Sequence, residues 1–218
     1  MDEQQLKEMA SQLRKPEGET GIKTGEWMNT GNLQIHKDTL AVLNAGKEET
    51  ILEIGMGNGY FVTEILRDNP HVNYTGCDFS EIMVKEAEKI NSDWIKNEQA
   101  RFIYTDGKSL PLQSESFDKV FTLNTIYFWE DEKSILAELK RVLKPGGTLI
   151  IALRPKHQMQ HYPFTRYGFK LFSKEDVTHL LSQNGFIISD ARENLEPDFD
   201  LNGQILKMEN VIVSARKF

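Results

Sequence analysis

The chain has 218 residues, 33 acidic side chains against 26 basic ones, a net charge of −7 and 39% hydrophobic residues. That length allows one domain, 1–218, with an ample core, while the acidic balance argues against a nucleic-acid surface, which needs a basic stripe to neutralise phosphates. Cys77 is the single cysteine, so a disulfide framework and a Cys-based zinc site are both excluded.

No apolar run approaches the ~20 residues of a bilayer span. The beginning Met1, Asp2, Glu3 does not read as a signal peptide. The expectation is a cytoplasmic protein with no membrane insertion. Residues 1–34 divide into a short amphipathic helix carrying Leu6, Met9 and Leu13 and a stretch, 16–34, with four glycines and no period. Such a long aperiodic stretch reads as an ordered flap that buries Trp27 and Met28. The α/β core is expected over 35–218, beginning with a helix from Ile35 that Gly46 would cap.

Ile51 to Ile54 then form a short apolar run broken only by Glu53, followed by Gly55, Gly57 and Gly59 and by Phe61, Val62, Ile65 and Leu66 at helical spacing. Strand, glycine turn and helix allow a backbone without Cβ atoms to press on a ligand at a helix N-terminus. Further strands are predicted at 72–78, 101–106, 117–124 and 148–153, alternating with helices at 80–90 and 135–143. Ser173 to Asp176 is a capping-box variant that opens a helix through Leu181. Phe186–Ser189 and Val211–Ser214 complete seven strands. Alternating strands and helices imply a parallel sheet with helices on both faces. The final pair lacks a helix between its members, so one of them should run antiparallel.

The glycine spacing decides between ligands. A dinucleotide fingerprint beginning at Gly55 needs its third glycine at position 60, where the chain has Tyr60. The observed string is Glu53-x-Gly55-x-Gly57-x-Gly59. Asp78 and Asp106 close the second and third strands, and Leu110-Pro111-Leu112, Ser116-Phe117-Asp118 and Leu139 to Gly147 follow in order. Over roughly 35–190 this resembles the class I S-adenosylmethionine (SAM)-dependent methyltransferases of small-molecule type, including the ubiquinone and menaquinone biosynthesis branch. The resemblance implies a Rossmann-like fold, SAM as cofactor and a small-molecule methyl acceptor. It also implies roles: Asp78 on the ribose diol, Asp106 with Gly107 on the adenine amino group, Phe79 and Leu110 around the ring. Glu53 would anchor the methionine ammonium, with backbone near Leu123 and Asn124 completing that pocket.

Each role has a plainer counterpart. Asp78 could serve only as a helix cap, and Glu53 could be solvated at a strand tip. An NAD(P)-binding oxidoreductase would also use Asp78, but it leaves Tyr60 and Pro145-Gly146-Gly147 unexplained. A non-catalytic methyltransferase-like subunit supporting a partner is the other alternative. Methyl transfer needs no obligatory base unless the acceptor arrives protonated, and the sequence shows no unambiguous catalytic residue.

Acceptor-site candidates are Tyr127 and Trp129 after the fourth strand, and His157, His161, Tyr162 and Tyr167 in segment 154–170. That segment is too aromatic for a solvated connection, and together with the N-terminal flap over the glycine turn it is expected to wall the acceptor site. The bland reading of the aromatics at 127–129 is core. No metal is expected at His157 and His161, which lack a nearby carboxylate in sequence. Oligomeric state is not legible.

Overall fold

A computed structural model describes residues 1–105, 109–201 and 204–218. In chain order the elements are α1 (Glu3–Arg14), α2 (Gly18–Gly31), α3 (Leu33–Leu43), β1 (Thr50–Ile54), α4 (Val62–Leu66), β2 (Asn73–Asp78), α5 (Glu81–Ile90), α6 (Ser92–Lys96) and β3 (Ala100–Tyr104). There follow β4 (Phe117–Leu123), α7 (Glu132–Val142), β5 (Leu143–Leu153), α8 (Lys156–Met159), α9 (Lys174–Gln183), β6 (Phe186–Leu195), β7 (Phe199–Leu201), β8 (Gln204–Leu206) and β9 (Glu209–Lys217).

Seven strands make one sheet in the order β3-β2-β1-β4-β5-β9-β6. The strands from β1 to β5 pair in parallel, whereas β9 runs antiparallel to both β5 and β6. The last strand is therefore the reversed member of the final pair. The strand order reverses between β1 and β4, and there the crevice outside their C-terminal ends opens.

Side chains alternate between two cores, as a doubly covered sheet requires. On β4 and β5, Val120, Leu149 and Ile151 face a cluster shared with Leu136 and Leu139 of α7 and with Val177 and Leu181 of α9. Phe121, Ile150 and Ala152 face the opposite cluster, packed with Ile35 and Leu43 of α3, Ile65 of α4 and Val84 of α5. These continuous apolar runs explain why the strands were readable without strict alternation.

Helix ends follow local chemistry. Ser80 Oγ accepts from Met83 N at the start of α5, and Asp131 accepts from Lys133 N and Ser134 N at the start of α7. The capping box on α9 is complete: Ser173 Oγ accepts from Asp176 N at 3.1 Å and the Asp176 carboxylate from Ser173 N at 2.8 Å.

Two expectations are corrected here. Helix α3 ends on Asn44, held left-handed at φ 41°, and Gly46 lies beyond the cap. More consequentially, 16–34 is not an aperiodic flap but mostly the helix α2. Its glycines permit close approach rather than breaking the helix. A Cβ on Gly25 would meet Met83 Sδ at 3.0 Å, and one on Gly21 would meet the Pro16 carbonyl carbon at 2.7 Å. Tight packing on α5 and on its own leader offsets the poor intrinsic helix propensity of glycine.

Candidate active site

The glycine turn is built by two backbone demands. Gly55 has φ +76° and its absent Cβ would lie 2.3 Å from Thr125 Cγ2, so no other residue fits there. Gly57 has φ +57° with open space where a side chain would project. Its N–H donates to Asp78 Oδ2 at 3.0 Å, while Asp78 Oδ1 accepts from Ser80 N at 2.9 Å. Asp78 thus ties the turn after β1 to the cap of α5. Burial raises its carboxyl to about 6, opposed by the backbone N–H groups of Ser80, Gly57 and Phe79. Two oxygens carry about four acceptor positions; with three backbone N–H groups directed at them, capacity remains for about one hydroxyl donor.

Above this turn lies a cavity of about 500 Å3. Its lining includes Gly55, Gly57, Asp78, Phe79, Thr105 and Leu123 from the strand ends and turns. It also includes Met28, Asn32 and His36 from the N-terminal helices, and Phe128, Trp129 and Ile135 from the segment after β4 and from α7. The leader is fastened by Ser80 Oγ donating to Pro16 O at 2.5 Å, and Arg14 of α1 meets Glu130 at 2.9 Å at the cavity wall.

Of the residues singled out in the sequence, the cavity brings together Gly55, Gly57, Asp78, Phe79, Leu123, Asn124 and Trp129. Asn124 sits at φ +56° and donates from Nδ2 to Asn32 Oδ1 at 3.1 Å, joining the end of β4 to the α2–α3 junction. Asp106 and Gly107 fall outside the described residues.

Several candidates lie elsewhere. Glu53 is buried beneath the turn, not in the cavity lining; its carboxylate accepts from Tyr74 OH at 2.5 Å. Burial pushes it up to about 7, a tendency the Tyr74 hydrogen bond opposes and the Asp78 charge reinforces. Gly59 packs against Ala87 and Asn91, and Leu110 belongs to the core with its N–H donated to Glu138. Tyr127 is core too: its hydroxyl donates to Asn124 Oδ1 and accepts from Arg154 N. Cys77 lines the cavity, but burial lifts its thiol to about 12 and leaves it unreactive.

Segment 154–170 does not wall the cavity. Arg154 turns inward to a buried ion pair with Glu196 and donates to Gly31 O at 3.1 Å, clamping the end of α2. Tyr167 lies under Lys7 of α1 and Tyr162 reaches Met208. His161 is exposed. His157 does have carboxylates nearby, contrary to expectation: Nε2 lies 3.0 Å from Glu209 and Nδ1 3.7 Å from Glu193. Each carboxylate faces a different ring nitrogen.

Asn32 and His36, which also line the cavity, were not singled out in the sequence because the α2–α3 region carries no motif of its own. Met28, an apolar side chain in a glycine-rich leader, and Phe128, among the aromatics at 127–129, were visible there.

Comparison with known proteins agrees with this geometry. Residues 52–151 match the family model described as a methyltransferase domain. The uncharacterized methyltransferase YdaC of Bacillus subtilis is 30% identical over 132 residues, covering 61% of this chain and 71% of the relative. The O-methyltransferase resE of Aspergillus sclerotiorum is 25% identical over 189 residues, 79% of this chain and 69% of its own. Among solved structures, the methyltransferase in complex with the Haloferax volcanii Trm112 methyltransferase activator superposes with TM-score 0.77 at 18% identity, covering 97% of this chain and 98% of that one.

The fold and site define a methyltransferase of Rossmann-like architecture. The chain belongs to the class I SAM-dependent methyltransferase family, is an enzyme and uses SAM. The dinucleotide alternative is thereby set aside. No helix among the described residues is long and apolar enough to cross a membrane.

Proposed function

We propose that the protein methylates a small organic acceptor held under its N-terminal helices, by in-line displacement governed mainly by positioning. The observation that carries this reading is the single continuous cavity: its Gly57–Asp78 end suits the cofactor, and its Met28–Trp129 end offers apolar walls with a few polar groups. The relatives named as O-methyltransferases support a small acceptor.

The residues present fit the cofactor. Asp78 retains acceptor capacity for a ribose hydroxyl, Phe79 offers an apolar surface beside it, and Gly57 leaves room for close approach. Bound SAM supplies a methyl group on a sulfonium, already an excellent leaving group. The chain's task is to hold the acceptor in line and exclude water, and orientation of this kind supplies up to ~7–11 kcal/mol. The carboxylates beside the acceptor end are already committed, Glu130 to Arg14 and Asp131 to the cap of α7.

The test is incubation with methyl-labelled SAM and a panel of one-ring phenols, carboxylates and amines, followed by identification of labelled product. Labelled small molecules support the reading. SAM binding with no transfer to any of them contradicts it.

A further inference from the structure

Among the described residues, one buried side chain that lines the cavity, His36, has a polar atom without a hydrogen-bond partner. His36 on α3 is 7% exposed and borders the cavity. Its ring stacks on Phe61 at a centroid distance of 3.7 Å and 22° between planes, which fixes the ring plane. Nδ1 is fully buried and has no hydrogen-bond partner among the described residues. Burial lowers the imidazole to about 3, so the ring is neutral at physiological pH.

A neutral imidazole has one N–H and one lone-pair nitrogen. Buried N–H groups without partners are rarer than under-satisfied acceptors. The enclosed Nδ1 is therefore the lone-pair nitrogen, and the proton resides on Nε2. We propose that this Nε2–H donates a hydrogen bond to an oxygen atom of the methyl acceptor, making His36 a specificity-determining residue. The inference rests on the reading of the cavity as an acceptor site, and it narrows the acceptor to an oxygen-bearing molecule. Met28, Phe128 and Trp129 supply the apolar walls against which such a molecule would lie. A ring held this neutral is no general base, so its contribution is orientation.

Two measurements separate the inference from the reading beneath it. In protein labelled with 15N-histidine and saturated with S-adenosylhomocysteine, His36 should show the Nε2–H form unchanged from about pH 5.5 to 8. An Nδ1–H form, or a ring that protonates in that range, overturns the proposal whatever the acceptor is. The second measurement uses the panel compound turned over fastest. His36→Phe retains a ring and its stack but has no N–H, and should raise KM about tenfold with kcat within about threefold. His36→Gln returns a donor and should bring KM back to within about threefold of wild type. S-adenosylhomocysteine affinity should stay within about twofold in both variants. An unchanged KM in His36→Phe, equal loss of cofactor affinity, or a fastest substrate that lacks oxygen overturns the assignment. Failure of the wild type to turn over any compound, with cofactor bound, instead overturns the small-acceptor reading.

Discussion

The backbone N–H of Gly57 donates to the carboxylate of Asp78 at 3.0 Å, joining two residues 21 positions apart in sequence. Through this bond the glycine turn and the start of α5 hold one another in place, and both sides of the bond face the same cavity.

Replacement of Asp78 by Asn tests whether the carboxylate is more than a strut. The amide oxygen replaces only one of the two acceptors that hold Gly57 N and Ser80 N, while the buried charge is relieved, so apo unfolding stability should change by no more than about 1–2 kcal/mol. Charge-assisted bonds to a diol are weakened, and the Kd for S-adenosylhomocysteine should rise at least about tenfold by calorimetry. Lost stability with unchanged affinity would make Asp78 purely structural.

The same carboxyl, raised to about 6, predicts a pH signature. Protonation below pH 6 removes the anion, so S-adenosylhomocysteine affinity should fall between pH 7.5 and 5. The slope should flatten in Asp78→Asn. An identical slope in the variant would assign it to another group.

Glu53 makes a prediction about stability. Its folded value of about 7 lies above the ordinary 4.5, so the native state holds this proton where the unfolded chain has released it. The contribution of Glu53 to stability is therefore greatest below pH 4.5 and declines as pH rises to 7. Glu53→Gln keeps an acceptor for Tyr74 without the charge. Denaturant unfolding should find it more stable than wild type at pH 8 by up to about 3 kcal/mol and near equal at pH 4.5. A variant less stable than wild type at pH 8 would show that the charge is needed.

Gly55→Ala should destabilise by at least about 2 kcal/mol, combining left-handed strain with a clash. The obstructing atom is Thr125 Cγ2 at 2.3 Å. Adding Thr125→Ser removes that methyl group and should recover part of the loss in thermal unfolding. No recovery would attribute the whole effect to the backbone.

The strand, glycine turn and helix frame was legible because local chemistry dictates it. Buried parallel strands read as apolar runs, and the acidic side chain and three glycines sit in consecutive order. The sequence also suggested the reversed final pair, and β9 carries the reversal. Glu53 illustrates the limit: a motif position says that a carboxylate is present, not which face of the strand it takes. Here alternation places it with Tyr74, below the sheet end rather than in the cavity. The cavity wall was legible only in part. The N-terminal stretch and 154–170 were both expected to wall the acceptor site; the cavity is lined by residues of α2 and α3 and by none of 154–170, and the glycines of α2 pack against Met83 and Pro16. The helix from Ile35 was legible, whereas the helicity of α2 was hidden because the contact of Gly25 with Met83 spans 58 positions and lies in no window of sequence.

Met28 offers the most direct test of a methyl acceptor held beside the cofactor under α2. Its side chain borders the compartment beneath the N-terminal helices and is only partly buried, so Met28→Trp fills space without opening the core. The measurement is label transfer from methyl-labelled SAM to the panel compounds, with S-adenosylhomocysteine affinity determined on the same preparations. The expected result is a Kd within about threefold of wild type and transfer reduced at least about fiftyfold. Transfer undiminished in Met28→Trp, or lost only in proportion to cofactor affinity, would contradict an acceptor site beneath α2.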